Sequence, residues 1–440
     1  MSILSMQRAD EVRNQILNCL AYDSCDSVVD SPPGAGKTYL VEDASGLVAL
    51  HLEQQVIIAC PSNSQADDVA KRIAQAFPML RVTRFTTSDY QEPDDFAAIP
   101  NLFCTSDKRR LNSLVIVATV AKYIEVEGLG FDPDFLFVDE AYQVKKSDYD
   151  RIRDLAGRTM LVGDPGQIDP IVRTSRRLYA ADRMGPHVPA PQALLAGGLA
   201  RYFQLPVSRR LMQDSVDIVL PTFYAHLAFD GMVAAGGRSI ISRHRPATTT
   251  DRLINDCLGR GSLSMITMPA ALTPRTDRGM VALAAGICDR LVTNGYRYAD
   301  DNDNGILLPK HIGIVVSHRE QVTAVRKALG PQMCDIHVET ANRFQGLERR
   351  LIIAFHPMSG KIRPDAFALD PGRLCVALSR HRIACMILGR DGIGEAIDRY
   401  VPDDDRFLCQ YDDPVHKGWR AHQMLLAEMA RRDRVVRCPT

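Results

Sequence analysis

Ser27-Val28-Val29-Asp30-Ser31-Pro32-Pro33-Gly34-Ala35-Gly36-Lys37-Thr38 decides the fold of this 440-residue chain, because an apolar run ends there in a loop suited to a triphosphate. Glycines let the chain curl until successive N–H groups point inward, and the helix-compatible stretch from Tyr39 to Ala44 adds a favourable dipole. Pro33, Gly34, Ala35 and Gly36 form the cradle, Lys37 reaches β- and γ-phosphates, and the Thr38 hydroxyl suits Mg2+. Ser31 stands where such loops usually begin with Gly, and it is small enough to make the turn.

Working outward, further apolar runs at 55–60, 114–119, 135–139 and 159–163 alternate with helical patterns such as Ser64–Phe77. The second half repeats this texture, with runs at 312–317, 335–339, 350–355 and 385–388 and a helix over Arg319–Leu329. Strands alternating with helices predict an α/β fold with parallel sheets covered on both faces, in two tandem units. The first unit is expected over 1–175, with a short insertion at about 80–113 carrying Lys108-Arg109-Arg110. A Pro/Gly-rich linker is expected at 176–204, the second unit over 205–400 and an extension over 401–440. Gly236–Ser264 reads as surface structure, and Trp419–Thr440 as an amphipathic helix with Arg431, Arg432, Arg434 and Arg437 on a solvated face.

Lys+Arg and Asp+Glu both total 53, so any nucleic-acid site must be a local groove and not a product of bulk charge. Eleven cysteines without a C-x-x-C pair argue against a disulfide framework and against zinc, and favour a reducing cytoplasmic setting. Cys60 and Cys375 read as buried thiols in apolar strands. The opening residues lack signal-peptide order and no apolar run reaches bilayer length, so no membrane partner is expected.

Two later strand ends carry the chemistry. Phe135-Leu136-Phe137-Val138 runs into Asp139-Glu140, placing Asp139 on the Mg2+ shell and Glu140 where it can orient and deprotonate water. Leu161-Val162-Gly163 runs into Asp164-Pro165-Gly166-Gln167, whose amide can sense a γ-phosphate.

Together with Cys60-Pro61-Ser62-Asn63, Val338–Glu348 and Arg373–Arg382, these motifs resemble superfamily 1 helicases in family order. The similarity is greatest to the 5′→3′ branch with a DEAxQ box, which includes the nonsense-mediated-decay helicase. The resemblance implies two tandem RecA-like parallel-sheet domains with ATP in the cleft between them and single-stranded nucleic acid crossing both. It implies strand contacts at Pro61, Ser62, Asn63, Thr119, Ser317 and Thr340, which hold phosphates without reading bases. Arg380 is implied as an arginine finger and Arg210 as a second phosphate-facing arginine, with Gly346 and Glu348 on the nucleotide side. Arg209 replaces the Tyr that usually stacks on adenine, and a planar guanidinium can also stack. The adenine-reading Gln is Gln7 or Gln15.

The expected function is therefore an ATP- and Mg2+-dependent helicase or translocase on single-stranded RNA or DNA, moving 5′→3′. The alternative is a nucleic-acid-stimulated ATPase that clamps or remodels a larger complex with a protein partner. Many relatives carry an accessory barrel ahead of the adenine-reading Gln, and its absence here favours translocation over duplex unwinding. A GTPase switch would need an Asn-Lys-x-Asp string, which the sequence lacks.

Overall fold

The computed structural model describes residues 3–126, 128–170, 172, 179, 182–242, 244–301, 303–400 and 414–438. The chain divides into two compact units. The N-terminal unit comprises Met6–Pro165 and Asp169–Pro206; the C-terminal unit gathers the chain from Val207 onward together with Gly166–Ile168.

The N-terminal unit is built on an eight-stranded sheet: β1 (Ser27–Asp30), β2 (Val56–Cys60), β3 (Val82–Phe85), β4 (Leu102–Thr105), β5 (Val115–Thr119), β6 (Phe135–Val138), β7 (Arg158–Gly163) and β8 (Arg201–Gln204). The order is β4-β3-β5-β2-β6-β7-β1-β8, and every pairing is parallel. Alternating residues of β2 enter two cores. Val56, Ile58 and Cys60 pack with α1 (Ile3–Tyr22), α2 (Lys37–Gly46) and α3 (Asn63–Ala76), while Ile57 and Ala59 pack on the other face with Val120 and Tyr123. That is why these strands are apolar throughout. In α3, Ala66, Val69, Ala70 and Ile73 form the buried stripe at helical spacing.

Two sequence expectations change here. The stretch at 80–113 is no insertion, since β3 and β4 extend the sheet beside β5. Within the expected linker, Ala190–Ala196 is a helix and β8 pairs with β1 from Ser27↔Arg201 to Asp30↔Gln204. As an edge strand, β8 buries one residue fully and leaves two exposed, so it carries no apolar run to betray it. Residues 173–178, 180 and 181 of that region lie outside the described residues.

The C-terminal unit contains β9 (Val207–Met212), β10 (Asp230–Val233), β11 (Ser239–Ile241), β12 (Leu263–Met268), β13 (Arg297–Asp300), β14 (Asp303–Ile306), β15 (Ile312–Val316), β16 (His337–Thr340), β17 (Arg349–Phe355), β18 (His381–Arg390) and β19 (Val435–Arg437). Its six-stranded sheet runs β16-β15-β17-β18-β12-β19, all parallel, and β11-β13-β14 form a small antiparallel sheet. Again the central strand serves two cores. Ile352 and Ala354 meet Leu374 and Val376 of the helix Pro371–Leu378, and Leu351 and Ile353 meet Ile287 and Leu291 of the helix Arg278–Thr293. Two parallel-sheet α/β units thus follow one another along the chain.

The segment Gly236–Ser264 is structured, not mere surface: it holds β11 and the helix Thr249–Arg260, whose Thr248 and Asp251 form a capping box. Residues 401–413 of the expected extension lie outside the described residues. Its remainder belongs to the unit, because the helix Pro414–Arg431 buries Leu425 and Met429 and β19 pairs with β12. Three of the basic residues there are ion-paired: Arg431 and Arg432 with Glu428, Arg432 with Asp217 at 3.1 Å, and Arg434 with Asp214 at 3.3 Å, while Arg431 and Arg437 are exposed as expected. Cys60 is buried in β2 as expected, whereas Cys375 is buried in a helix. Among the described residues the cysteines are free, and no helix is long and apolar enough to cross a membrane.

Candidate nucleotide and nucleic-acid site

Because all strands of the N-terminal sheet run parallel, the loops after β1, β2, β5, β6 and β7 emerge at one edge. These loops carry residues 31–36, Pro61-Ser62, the Thr119 turn, Asp139-Glu140 and Asp164.

The glycine-rich loop needs its glycines. Gly34 and Gly36 have φ of 71° and 97°, and Gly36 is the cap from which Lys37 begins α2. The loop is tied to the sheet by Ser31 N–H donating to the Gly163 carbonyl at 2.8 Å. Lys37 Nζ contacts the Glu140 carboxylate and lies 3.5 Å from Asp139 Oδ1. Asp139 and Glu140 are only 4% and 6% exposed, so this cation and two anions form a nearly dry cluster. Burial pulls the Lys37 pKa down, but the two carboxylates outweigh it and leave it above the ordinary value. For Asp139, burial outweighs Lys37 and pushes the pKa up.

Glu140 adopts φ 50°, a left-handed conformation uncommon outside glycine, and its N–H donates to Asp139 Oδ1 at 2.9 Å. An inward-curled backbone, a buried ammonium, a hydroxyl at Thr38 and paired carboxylates together fit a nucleoside triphosphate with a hard divalent cation.

Several supporting residues escaped the sequence reading. Asp30, the last residue of β1, accepts from Tyr142 Oη at 2.6 Å and Tyr202 Oη at 3.2 Å, and burial lifts its pKa to about 6. Arg13 ties α1 to α2 by pairing with Asp43 and lying 5.4 Å from the Tyr39 ring centroid. Gln7 and Gln15 are both exposed on α1, so the structure leaves the choice between them open.

On the expected strand-binding side, Ser62 caps α3 by accepting from Gln65 N–H at 3.4 Å, and Asn63 is exposed at its first position. Asn63 Oδ1 accepts from Arg84 Nη2 at 2.8 Å. The same guanidinium, fully buried, also donates to Asp67 Oδ1 at 2.7 Å and Phe85 O at 2.8 Å. With Oδ1 committed, the Asn63 amide keeps its N–H donors for solvent or a phosphate. The one local signal for Arg84 was an Arg inside the otherwise strand-like Val82–Phe85. Thr119 caps the helix Val120–Glu125 by accepting from Lys122 N–H at 3.1 Å.

Within the C-terminal unit, Arg210 on β9 donates to Glu348 Oε2 at 2.8 Å and to the Ser379 carbonyl at 3.2 Å. Arg210, Glu348 and the Ser379-Arg380 peptide are thereby brought together, although 138 residues separate the first two. Arg380 is 2% exposed. Burial alone would raise the Glu348 pKa, but Arg210 and Arg382 hold it below the usual range. Gly346, at φ 77°, makes the turn that precedes it. Arg209 is exposed, and its carbonyl accepts from Arg238 Nη2 at 2.9 Å. Arg238, 3% exposed and anchored on Asp300 and Asp301, is another residue the sequence did not mark.

Gln167 falls in this unit, where its side-chain oxygen accepts from Gln345 Nε2 at 3.4 Å. In the parallel register of β15 and β16, Val316 pairs with Thr340, so Ser317 and Thr340 both lie at the carboxyl ends of adjacent strands, one residue out of register.

Two AAA domain families match the chain, one over residues 14–181 and the other over 275–392. Regulator of nonsense transcripts 1 of Caenorhabditis elegans is 22% identical over 411 residues, covering 82% of this chain and 36% of the relative. ATP-dependent helicase NAM7 of Saccharomyces cerevisiae is 22% identical over 402 residues, covering 82% of this chain and 40% of the relative. The chain thus spans about two fifths of the length of these relatives. Among solved structures, the arterivirus nonstructural protein 10 helicase is 14% identical with a TM-score of 0.44, covering 87% of this chain and 64% of that one. The two matched AAA domains and the curated relatives make this chain similar to the ATP-dependent helicases of the nonsense-decay group, as its ordered motifs led one to expect.

Proposed function

We propose that this chain is an ATP-hydrolysing motor that moves along single-stranded nucleic acid, 5′→3′ as in the branch it resembles, in the cytoplasm and with a protein partner. The observation that carries the reading is the buried Lys37–Asp139–Glu140 cluster behind the glycine-rich loop, on the sheet edge that also carries Asn63 and Thr119. Relatives named as ATP-dependent helicases support it.

In this reading Pro33 to Gly36 cradle the phosphates, and Thr38 and Asp139 hold Mg2+, which neutralises phosphate charge when bound. Lys37 turns from Glu140 to the phosphates, and Glu140 is then placed to align a water and take its proton. Arg380 and Arg210 neutralise charge on the γ-phosphate, and Gln167 senses its presence. Gln7, Arg209, Gly346 and Glu348 serve the adenosine. Pro61, Ser62, Asn63, Thr119, Ser317 and Thr340 hold the strand by its phosphates, so binding is indifferent to sequence.

Steady-state ATPase measured alone, then with single-stranded RNA, single-stranded DNA and duplex, tests the proposal. Strong stimulation by a single strand is expected and identifies the track. A rate unmoved by any polymer would overturn the motor reading.

A further inference from the structure

The strand contacts assigned so far address phosphates and leave the bases unaccounted for. At the carboxyl edge of the C-terminal sheet, the residue after Ser317 is His318, and its ring stacks on Phe367 with centroids 4.7 Å apart and planes within 13°. The Arg373 guanidinium lies 4.1 Å from the centroid of the same Phe367 ring, and its Nε donates to Asn342 Oδ1 at 3.2 Å. Neither ring is part of a core: Phe367 is 37% exposed and His318 is half-buried.

The pair stands on fixed supports. Ser317 N–H and His318 N–H both donate to Gln321 Oε1 at 3.0 Å, and Gln321 Nε2 donates to the Arg275 carbonyl at 2.7 Å. On the other side, Asp365 accepts from Ala368 N–H at 2.8 Å and pairs with Lys361. Burial, with Lys361 and Arg275 nearby and Asp365 and Glu320 opposing, holds the His318 pKa below its ordinary value, so the ring is neutral at neutral pH. An exposed, preorganised aromatic pair among arginine and lysine side chains, next to the adjacent strand ends that carry Ser317 and Thr340, matches the chemistry of a base attached to a phosphate backbone.

We propose that His318 and Phe367 form a platform on which one base of the bound strand stacks, an inference that rests on the nucleic-acid reading above. Stacking of this kind tolerates any base, because each has a π-face. It therefore adds affinity without adding sequence preference.

The test compares a labelled single-stranded oligonucleotide with an abasic strand of equal length, by fluorescence anisotropy on the full chain. The parent should bind the base-bearing strand more tightly. His318→Ala and Phe367→Ala should each weaken that strand about five- to a hundredfold, leave the abasic strand within about twofold, and preserve the melting curve. His318→Phe should restore binding. Equal weakening on both strands, or no weakening in a variant that melts like the parent, overturns the platform while phosphate binding stands. If the parent binds neither strand, the nucleic-acid reading itself falls and the platform with it.

Discussion

Replacing Lys37 by Ala should destabilise the N-terminal unit as well as stop hydrolysis, because Lys37 is the cation inside a nearly dry pair of acids. At 3.5 Å, the attraction between Lys37 and Asp139 alone is worth about 5 kcal/mol at an effective dielectric constant of about 20. Without it, Asp139 and Glu140 face each other at 4% and 6% exposure. Removing one partner from such a buried cluster costs about 3–5 kcal/mol. Proton uptake limits the cost, since protonating a carboxyl of ordinary pKa about 4 at pH 7 takes about 1.4 × 3, or about 4 kcal/mol.

Two consequences follow from this limit. Lys37→Ala with Glu140→Gln should recover about 2–3 kcal/mol, because the second carboxylate is gone. The sign of the pH effect is also set: a carboxyl whose folded pKa is raised binds a proton that the unfolded chain does not. Stability therefore falls as pH rises from about 4 toward the folded pKa, so the deficit should be smaller at about pH 5.5 than at about pH 7. Hydrogen exchange of peptides spanning 28–46 and 135–143, read by mass spectrometry, measures this locally. Protection in Lys37→Ala equal to the parent at about pH 7, or no recovery in the double variant, would refute the reasoning.

Glu140→Gln should retain ATP while turnover falls by about 10²–10⁴; hydrolysis at the parent rate would remove Glu140 as the base. Arg380→Ala should slow turnover by about a thousandfold or more with a modest loss of ATP affinity, and an unchanged rate would end its assignment as the finger. Acid should weaken the C-terminal unit. Burial keeps His381 and His422 neutral, with pKa values lowered to about 4, and holds His356 well below its ordinary value. Each charges near its ordinary value of about 6.5 only when unfolded, so their stabilisation is complete above about pH 6.5 and falls with pH below it, for His381 and His422 by at most about 3.4 kcal/mol each as pH nears about 4. Thermal melts followed through Trp419 fluorescence at several pH values check this, and a transition unmoved between about pH 6.5 and 4.5 would contradict it.

What the sequence by itself determined is what local chemistry determines. The torsions that only glycine adopts easily mark the loop at Gly34 and Gly36, and apolar runs buried on both faces mark β2, β6, β15 and β17. Paired acids at the end of β6 mark the edge proposed for hydrolysis, because a parallel sheet brings its strand ends together. Tertiary structure decided the rest. Edge strands such as β4 and β8 are half-exposed and leave no apolar signature, so the sheet is wider than its clearest runs.

The groups that aim the site lie far off along the chain: Arg84 is 21 residues from Asn63, Tyr142 and Tyr202 are 112 and 172 residues from Asp30, and Arg210 is 138 from Glu348. A hydrogen bond between such partners depends on where two strands end in space. No spacing, periodicity or composition along one chain encodes that.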